Sequence, residues 1–281
     1  MVRASPHGAR PLPFPEIDPV AFAIGPLVVR WYALAYLAGV LLGALYGRML
    51  LKRRALWADN SPPFAPDDIW DFAFWAIIGI IVGGRVAYVL FYNLPQYLAN
   101  PMEIFALWDG GMAFHGGMIG LMLAVILFTR KRGGNLLSSL DLLAAIGTIG
   151  IFLGRIANFI NAELFGAPTD LPWGVVFPTD PLGVPRHPSQ LYEAALEGLI
   201  LFLVIRYATH VAHALRRPGL VAGIFGIGYG LSRFAVEFVR LPDAQLGYLY
   251  GGWLTMGQVL SLPMILAGLC LIAYAMRSRR A

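Results

Sequence analysis

Residues 69–92 read IWDFAFWAIIGIIVGGRVAYVLFY. About 20 apolar residues suffice to carry a helix across the hydrocarbon core of a bilayer, and this run is long enough while holding only Asp71 near its start and Arg85 well inside it. It predicts a transmembrane helix. Comparable runs recur at roughly 26–50, 112–129, 138–160, 189–209, 219–239 and 253–276, separated by short segments rich in Pro, Gly and charge. The expected fold is all-α: a polytopic membrane helix bundle of about seven transmembrane helices, one integral membrane domain over 1–281, with a small head formed by loops.

Composition points the same way. Of the 281 residues, 58% are hydrophobic and 13% charged, against about 25% charged in an ordinary soluble domain. The net charge of +5 fits loops held near anionic membrane lipids rather than a nucleic-acid partner. Cys270 is the single cysteine and lies in the last apolar run, so neither a disulfide framework nor a thiolate metal site is available, and it reads as a small core residue. Arg3 and Arg10 are followed by Pro11, Pro13, Pro15 and Pro19 instead of the apolar stretch of a cleavable signal, so the first span is expected to drive insertion.

Orientation follows from Lys and Arg, which stay on the cytoplasmic side. With the N-terminus outside, the inner side collects Arg48, Lys52, Arg53, Arg54, Arg130, Lys131, Arg132, Arg206, Arg216, Arg217, Arg277, Arg279 and Arg280; the outer segments keep only Arg3, Arg10, Arg186 and Arg240. The C-terminus is then cytoplasmic and the head lies on the outer side. Trp31, Tyr32, Tyr92, Trp108, Tyr248, Tyr250 and Trp253 fall at the outer boundary, as an interfacial aromatic belt does.

Arg85, Arg155, Arg233 and Glu237 lie within apolar runs, where each charge costs on the order of 2.5–3.5 kcal/mol on insertion scales. Such residues mark function. At about 1.5 Å per helical residue, the three arginines lie roughly 27, 26 and 21 Å from the inner ends of their spans. His115 and Tyr32 follow the outer starts of two other spans, so five polar residues are expected in one layer near the outer headgroups. Arg155 and Asn158, three apart, share a helix face and offer a guanidinium fork and an amide to one phosphate. Glu237, four after Arg233, is placed to neutralise and orient it. Asn161 and Glu163 fall where their helix leaves the membrane, as caps would. Tyr88 and Tyr92 extend a stripe from Arg85, which suits a hydroxyl-lined lipid groove or plain interface packing.

The segment Gly154-Arg155-Ile156-Ala157-Asn158-Phe159-Ile160-Asn161-Ala162-Glu163-Leu164-Phe165-Gly166 resembles the signature G-R-x-[GA]-N-F-x-N-x-E-x-x-G of the prolipoprotein diacylglyceryl transferases, with every fixed position present. Trp31-Tyr32, the stretches 84–93, 108–117 and 186–193, Gly228-Tyr229-Gly230 with Arg233 and Glu237, and Met256-Gly257-Gln258 look like further segments of that family. The resemblance covers nearly the whole chain. It implies transfer of diacylglyceryl from phosphatidylglycerol to the lipobox cysteine thiol beside a prolipoprotein signal peptide, with release of glycerol 1-phosphate and no metal or organic cofactor.

The residues suit that chemistry. Sulfur attacks the glycerol carbon that bears the phosphate oxygen, and charge building on that oxygen is best met by preplaced guanidiniums, for which Arg155 and Arg233 are the candidates. The thiolate is the better nucleophile, and His115 offers an imidazole to accept its proton; a plain headgroup contact is the competing role. Tyr32, Arg85, Tyr88, Asn158, Asn161, Glu163, Gly166 and Glu237 are the candidate substrate-binding residues.

Two other readings compete. Asp67, Asp68 and Asp71 match the D-D-x-x-D of intramembrane prenyltransferases, but no second acidic cluster accompanies them and a helix start explains them as caps. A transporter site would lie near the midplane in helices broken in both halves of a repeat, and no inverted repeat is visible. His210 and His213 alone make a weak metal pair, and no G-x-S-x-G nucleophile is present.

Overall fold

Helices form where the apolar runs lie and stop where Pro, Gly or charge interrupts them. The computed structural model describes residues 12–15, 17–25, 27–242 and 247–277; Arg3, Arg10, Pro11, Arg279 and Arg280, used in the expectations above, lie outside them, as does Pro26 in the first run. The long elements are α1 (Trp31–Lys52), α2 (Ile69–Phe91), then a short α3 (Leu94–Ala99), α4 (Phe114–Lys131) and α5 (Leu136–Ile160). A continuous rod follows, made of α6 (Ser189–Glu193), a π-helical turn Ala194–Ile200 and α7 (Leu201–His210), and the chain ends in α8 (Leu220–Val236) and α9 (Met256–Arg277). Five of these helices, α1, α2 with its preceding turn, α4, α5 and α9, are long and apolar enough to cross a membrane; α8 is apolar but shorter. The chain is a multi-pass, mostly helical membrane protein.

Several boundaries differ from expectation. The first run turns helical only at Trp31, because β2 (Val20–Ile24) and β3 (Leu27–Arg30) pair antiparallel around Gly25, whose φ of +59° suits glycine. The sixth run stops at Val236, where the chain turns to set Arg240 beside Gly166. The head is more than loops: β1 (Leu12–Pro13) runs parallel to β4 (Val175–Val176), which pairs antiparallel with β5 (Pro185–Arg186). Asp180 braces it by accepting two hydrogen bonds from Arg186, both 2.8 Å, and these hold its carboxyl below the usual carboxylate range. Trp173 Nε1 donates to Tyr192 OH at 2.8 Å and ties the head to α6.

Small residues let the rods meet closely. Gly79 and Gly83 of α2 face Gly116 and Gly120 of α4 so tightly that a Cβ at any of the four would overlap the opposite backbone. Gly39 of α1 packs closely on Gly150 of α5, with 3.1 Å from a Cβ added at Gly39 to Gly150 Cα.

One end of the bundle is closed by polar ties between helix ends. Arg48 reaches Asp67 (2.6 Å), Arg132 reaches Asp68 (3.1 Å) and Asp71 (2.6 Å), and Arg216 donates to Ala55 O. The aspartates expected as caps therefore serve as partners for arginine; Asp68 makes no capping hydrogen bond. Asp141 of α5 does the capping from a distance, accepting from Gly219 N (2.8 Å) and Ala222 N (2.7 Å) at the start of α8. These contacts gather the basic ends of α1 and α4 and the basic turn before α8 with the start of α2. Cys270 is exposed on α9 and is no core residue. At the opposite end Trp31, Tyr92, Trp108, Tyr248, Tyr250 and Trp253 are exposed, as a belt requires, whereas Tyr32 turns partly inward.

Candidate active site

Glu193 closes α6 and has no exposed surface. Its carboxylate lies 3.0 Å from Arg155 Nη1 of α5 through Oε2 and 2.8 Å from Arg233 Nη1 of α8 through Oε1. Arg240, just beyond α8, reaches the same Oε1 at 2.5 Å. Glu197, one step along in the π-helical turn and equally buried, receives Arg155 Nη2 at 3.1 Å. Wide turns of this kind inside α-helices recur at functional sites, and this one presents both carboxylates to α5.

Glu237 completes the cluster. As the C-cap of α8 it takes Arg233 Nη2 at 2.5 Å and Thr255 Oγ1 at 2.6 Å, while Gln258 of α9 accepts from Thr255 N at 3.0 Å. Gly257 permits this approach, because a Cβ there would sit 2.5–2.8 Å from the Glu237 carboxylate. The Arg233–Glu237 pair expected from their four-residue spacing is present. Three guanidiniums and three carboxylates balance, which lets so many charges stay within an apolar bundle. Their exposure is uneven. The side chains of Glu193, Glu197 and Glu237 are 0%, 0% and 4% exposed, those of Arg155 and Arg233 17% and 19%. The acids are sealed and the cations show an edge, so the accessible part of the cluster is positive and suits an anion.

A second group adjoins Arg155. Asn158, three residues on, donates through Nδ2 to Glu163 Oε1 at 2.7 Å and to Tyr32 OH at 3.5 Å, and Tyr36 OH donates to Tyr32 OH at 3.2 Å. Asn161 is the C-cap of α5. The chain then bends sharply, with Ala162 and Leu164 at positive φ, and is pinned by Gln190 Nε2 to Glu163 O (2.6 Å) and Ser189 Oγ to Leu164 O (3.0 Å). Gly166 must lack a side chain: a Cβ would overlap Val239 O and come within 2.8 Å of His187 Cβ.

The single polar layer expected from helix depth divides. Arg85 does not join the arginine cluster. It is buried, and its five N–H groups are taken by five backbone carbonyls, those of Glu103, Ile104, Ala106, Gly110 and Gly111. Its guanidinium also lies over the Tyr97 ring, 5.2 Å from the centroid. It organises the loop between α3 and α4 and keeps no donor for a ligand. Tyr88 stacks on Tyr92 at 5.3 Å and accepts from Asn93 Nδ2 at 3.3 Å. His115, exposed at the start of α4, sits edge-on to Phe114 and makes no hydrogen bond among the described residues.

Glu193, Glu197 and Arg240 are absent from the sequence-derived candidates. The signal for the two acids is the one that picked out Arg155: Glu193 and Glu197 stand four apart within the apolar run 189–209, on one face. Arg240 lies past the run and carries no such mark. Among the described residues no group of three or more His, Cys, Asp or Glu side chains is arranged to hold a metal ion.

Residues 19–274 match the family model described as prolipoprotein diacylglyceryl transferase. The chain is 58% identical over 262 residues to the phosphatidylglycerol–prolipoprotein diacylglyceryl transferase of Brucella canis, covering 93% of this chain and 92% of that protein. It is 57% identical, with the same coverage, to the proteins of that name from Brucella ovis and Brucella melitensis.

Proposed function

The chain belongs to the prolipoprotein diacylglyceryl transferase family, and from that premise we propose that it moves diacylglyceryl from phosphatidylglycerol to the thiol of a prolipoprotein lipobox cysteine. The observation that carries the mechanism is the sealed Glu193 carboxylate, with Arg155 at one oxygen and Arg233 and Arg240 at the other. Arg155 and Arg233 are thereby held on one carboxylate with part of each side chain accessible, and the N–H groups that the carboxylates leave over are preplaced for a phosphodiester.

In the reaction the cysteine sulfur attacks the glycerol carbon that bears the phosphate oxygen. A carbon–sulfur bond forms and the carbon–oxygen bond breaks. Its electron pair leaves on the oxygen of glycerol 1-phosphate, where Arg155 and Arg233 stabilise it. The thiol proton passes to a base, and His115 is the candidate, free of any competing hydrogen bond among the described residues. Arg240 and Glu237 keep Arg233 in place, and Arg85 shapes the neighbouring loop. Guanidiniums supply the positive charge, so the reading calls for no metal or organic cofactor.

The basic helix ends face the cytoplasm, and the site opens toward the periplasmic leaflet of the inner membrane. The donor lipid and the apolar signal peptide both reach it from the bilayer. The test is a mass spectrum of a lipobox peptide incubated with the purified protein and phosphatidylglycerol. A diacylglyceryl adduct on the cysteine is expected; an unmodified peptide overturns the reading.

A further inference from the structure

Counting hydrogen-bond valences beside Arg155 leaves a pattern that the phosphate does not use. Both Nδ2 hydrogens of Asn158 are spent, on Glu163 Oε1 and Tyr32 OH. Tyr32 OH accepts from Asn158 and from Tyr36, which leaves its own hydrogen to give. Asn158 is buried, yet its Oδ1 is neither bonded among the described residues nor sealed off. Glu163, exposed, keeps Oε2 without a partner among them. One donor and two acceptors thus remain unspent on three residues linked by hydrogen bonds, with Asn158 three residues along the helix from Arg155.

A group that both gives and takes hydrogen bonds, repeated on adjacent carbons, matches this set. A vicinal diol does so. An ammonium does not, since it only donates and leaves the Tyr32 hydrogen without an acceptor. We propose that Tyr32, Asn158 and Glu163 form a subsite for the two free hydroxyls of the headgroup glycerol, the part of the donor lipid that departs with the phosphate. This rests on the transferase reading and adds to it a basis for choosing among anionic phospholipids of equal charge.

The experiment compares two donors with the same acyl chains and one phosphodiester charge, phosphatidylglycerol and phosphatidylethanol, in transfer to a lipobox peptide. Wild type is expected to use phosphatidylethanol at least about tenfold less efficiently in kcat/KM, the loss of one or two hydrogen bonds. Tyr32→Phe should lose about tenfold with phosphatidylglycerol and little with phosphatidylethanol. The donor ratio is measured within one preparation, so a partly unfolded variant does not alter it. As a second arm, glycerol 1-phosphate should inhibit wild type more strongly than ethyl phosphate does, and Tyr32→Phe should narrow that difference. Equal use of the two lipids by wild type, or an equal loss on both in Tyr32→Phe, overturns the subsite while leaving the transfer activity intact. No transfer from either lipid overturns the transferase reading and the subsite with it.

Discussion

Arg155 and Arg233, carried by different helices, are separated by a single carboxylate, that of Glu193, with 3.0 Å to one and 2.8 Å to the other. That spacing makes Glu193 a bracket, and it predicts more than a local loss. Glu193→Ala leaves Arg155, Arg233 and Arg240 without their shared partner in a buried place, where breaking an ion pair costs about 3–5 kcal/mol. A marked fall in thermal stability in detergent, together with lost transfer, is expected. Unchanged melting would mean that the cluster is not built around this residue.

Arg85 should behave differently. Arg85→Lys keeps the charge but replaces five fixed donors by a point ammonium that cannot span five carbonyls. The loop between α3 and α4 is expected to become sensitive to limited proteolysis in Arg85→Lys as in Arg85→Ala. A loop as resistant as that of wild type in Arg85→Lys would show that the charge alone organises it.

Much of this was legible in the sequence, for physical reasons. Apolar runs cannot be hidden in a membrane protein, so the rods lie where expected, and charges within them stand out because each is expensive. Arg155, Arg233 and Glu237 were found that way. Depth along a helix, however, says nothing about rotation, and so Arg85 shared a layer with the arginine pair without sharing its partners. Asp67, Asp68 and Asp71 read as caps because sequence shows the adjacent helix start and not Arg48 or Arg132 from other helices. Strand β3 of the hairpin before Trp31 lay hidden at the start of an apolar run, since a short strand and a helix end look alike there.

Gly257 gives a prediction by close approach. Gly257→Ala places a methyl against the Glu237 carboxylate, 2.5–2.8 Å away without movement, so Glu237 must shift and Arg233 with it. Turnover should fall by about tenfold or more, as small misplacements of positioning groups do, with the protein still inserted. Wild-type turnover in this variant would detach Glu237 from the orientation of Arg233.

The head carries an acid dependence. Because Arg186 depresses the Asp180 carboxyl in the folded protein, this pair stabilises the head above the unfolded aspartate value of about 3.9, and the contribution is lost as pH falls through the lower folded value. Asp180→Asn should flatten that part of an acid titration followed by near-ultraviolet circular dichroism. An identical titration in wild type and Asp180→Asn would remove the pair from the stability of the head.

The account stands on Arg155 and Arg233 as the grip on the departing phosphate, and turnover of each alanine variant tests it most directly. Transfer of labelled diacylglyceryl from phosphatidylglycerol to a lipobox peptide, by purified protein of matched folding, should drop by roughly 10²–10³-fold in Arg155→Ala and in Arg233→Ala, the usual cost of losing a preorganised donor to developing charge. Lysine at either position should restore only part of it. Near-normal turnover in both alanine variants would contradict the account, since Arg85 keeps no free donor to take their place.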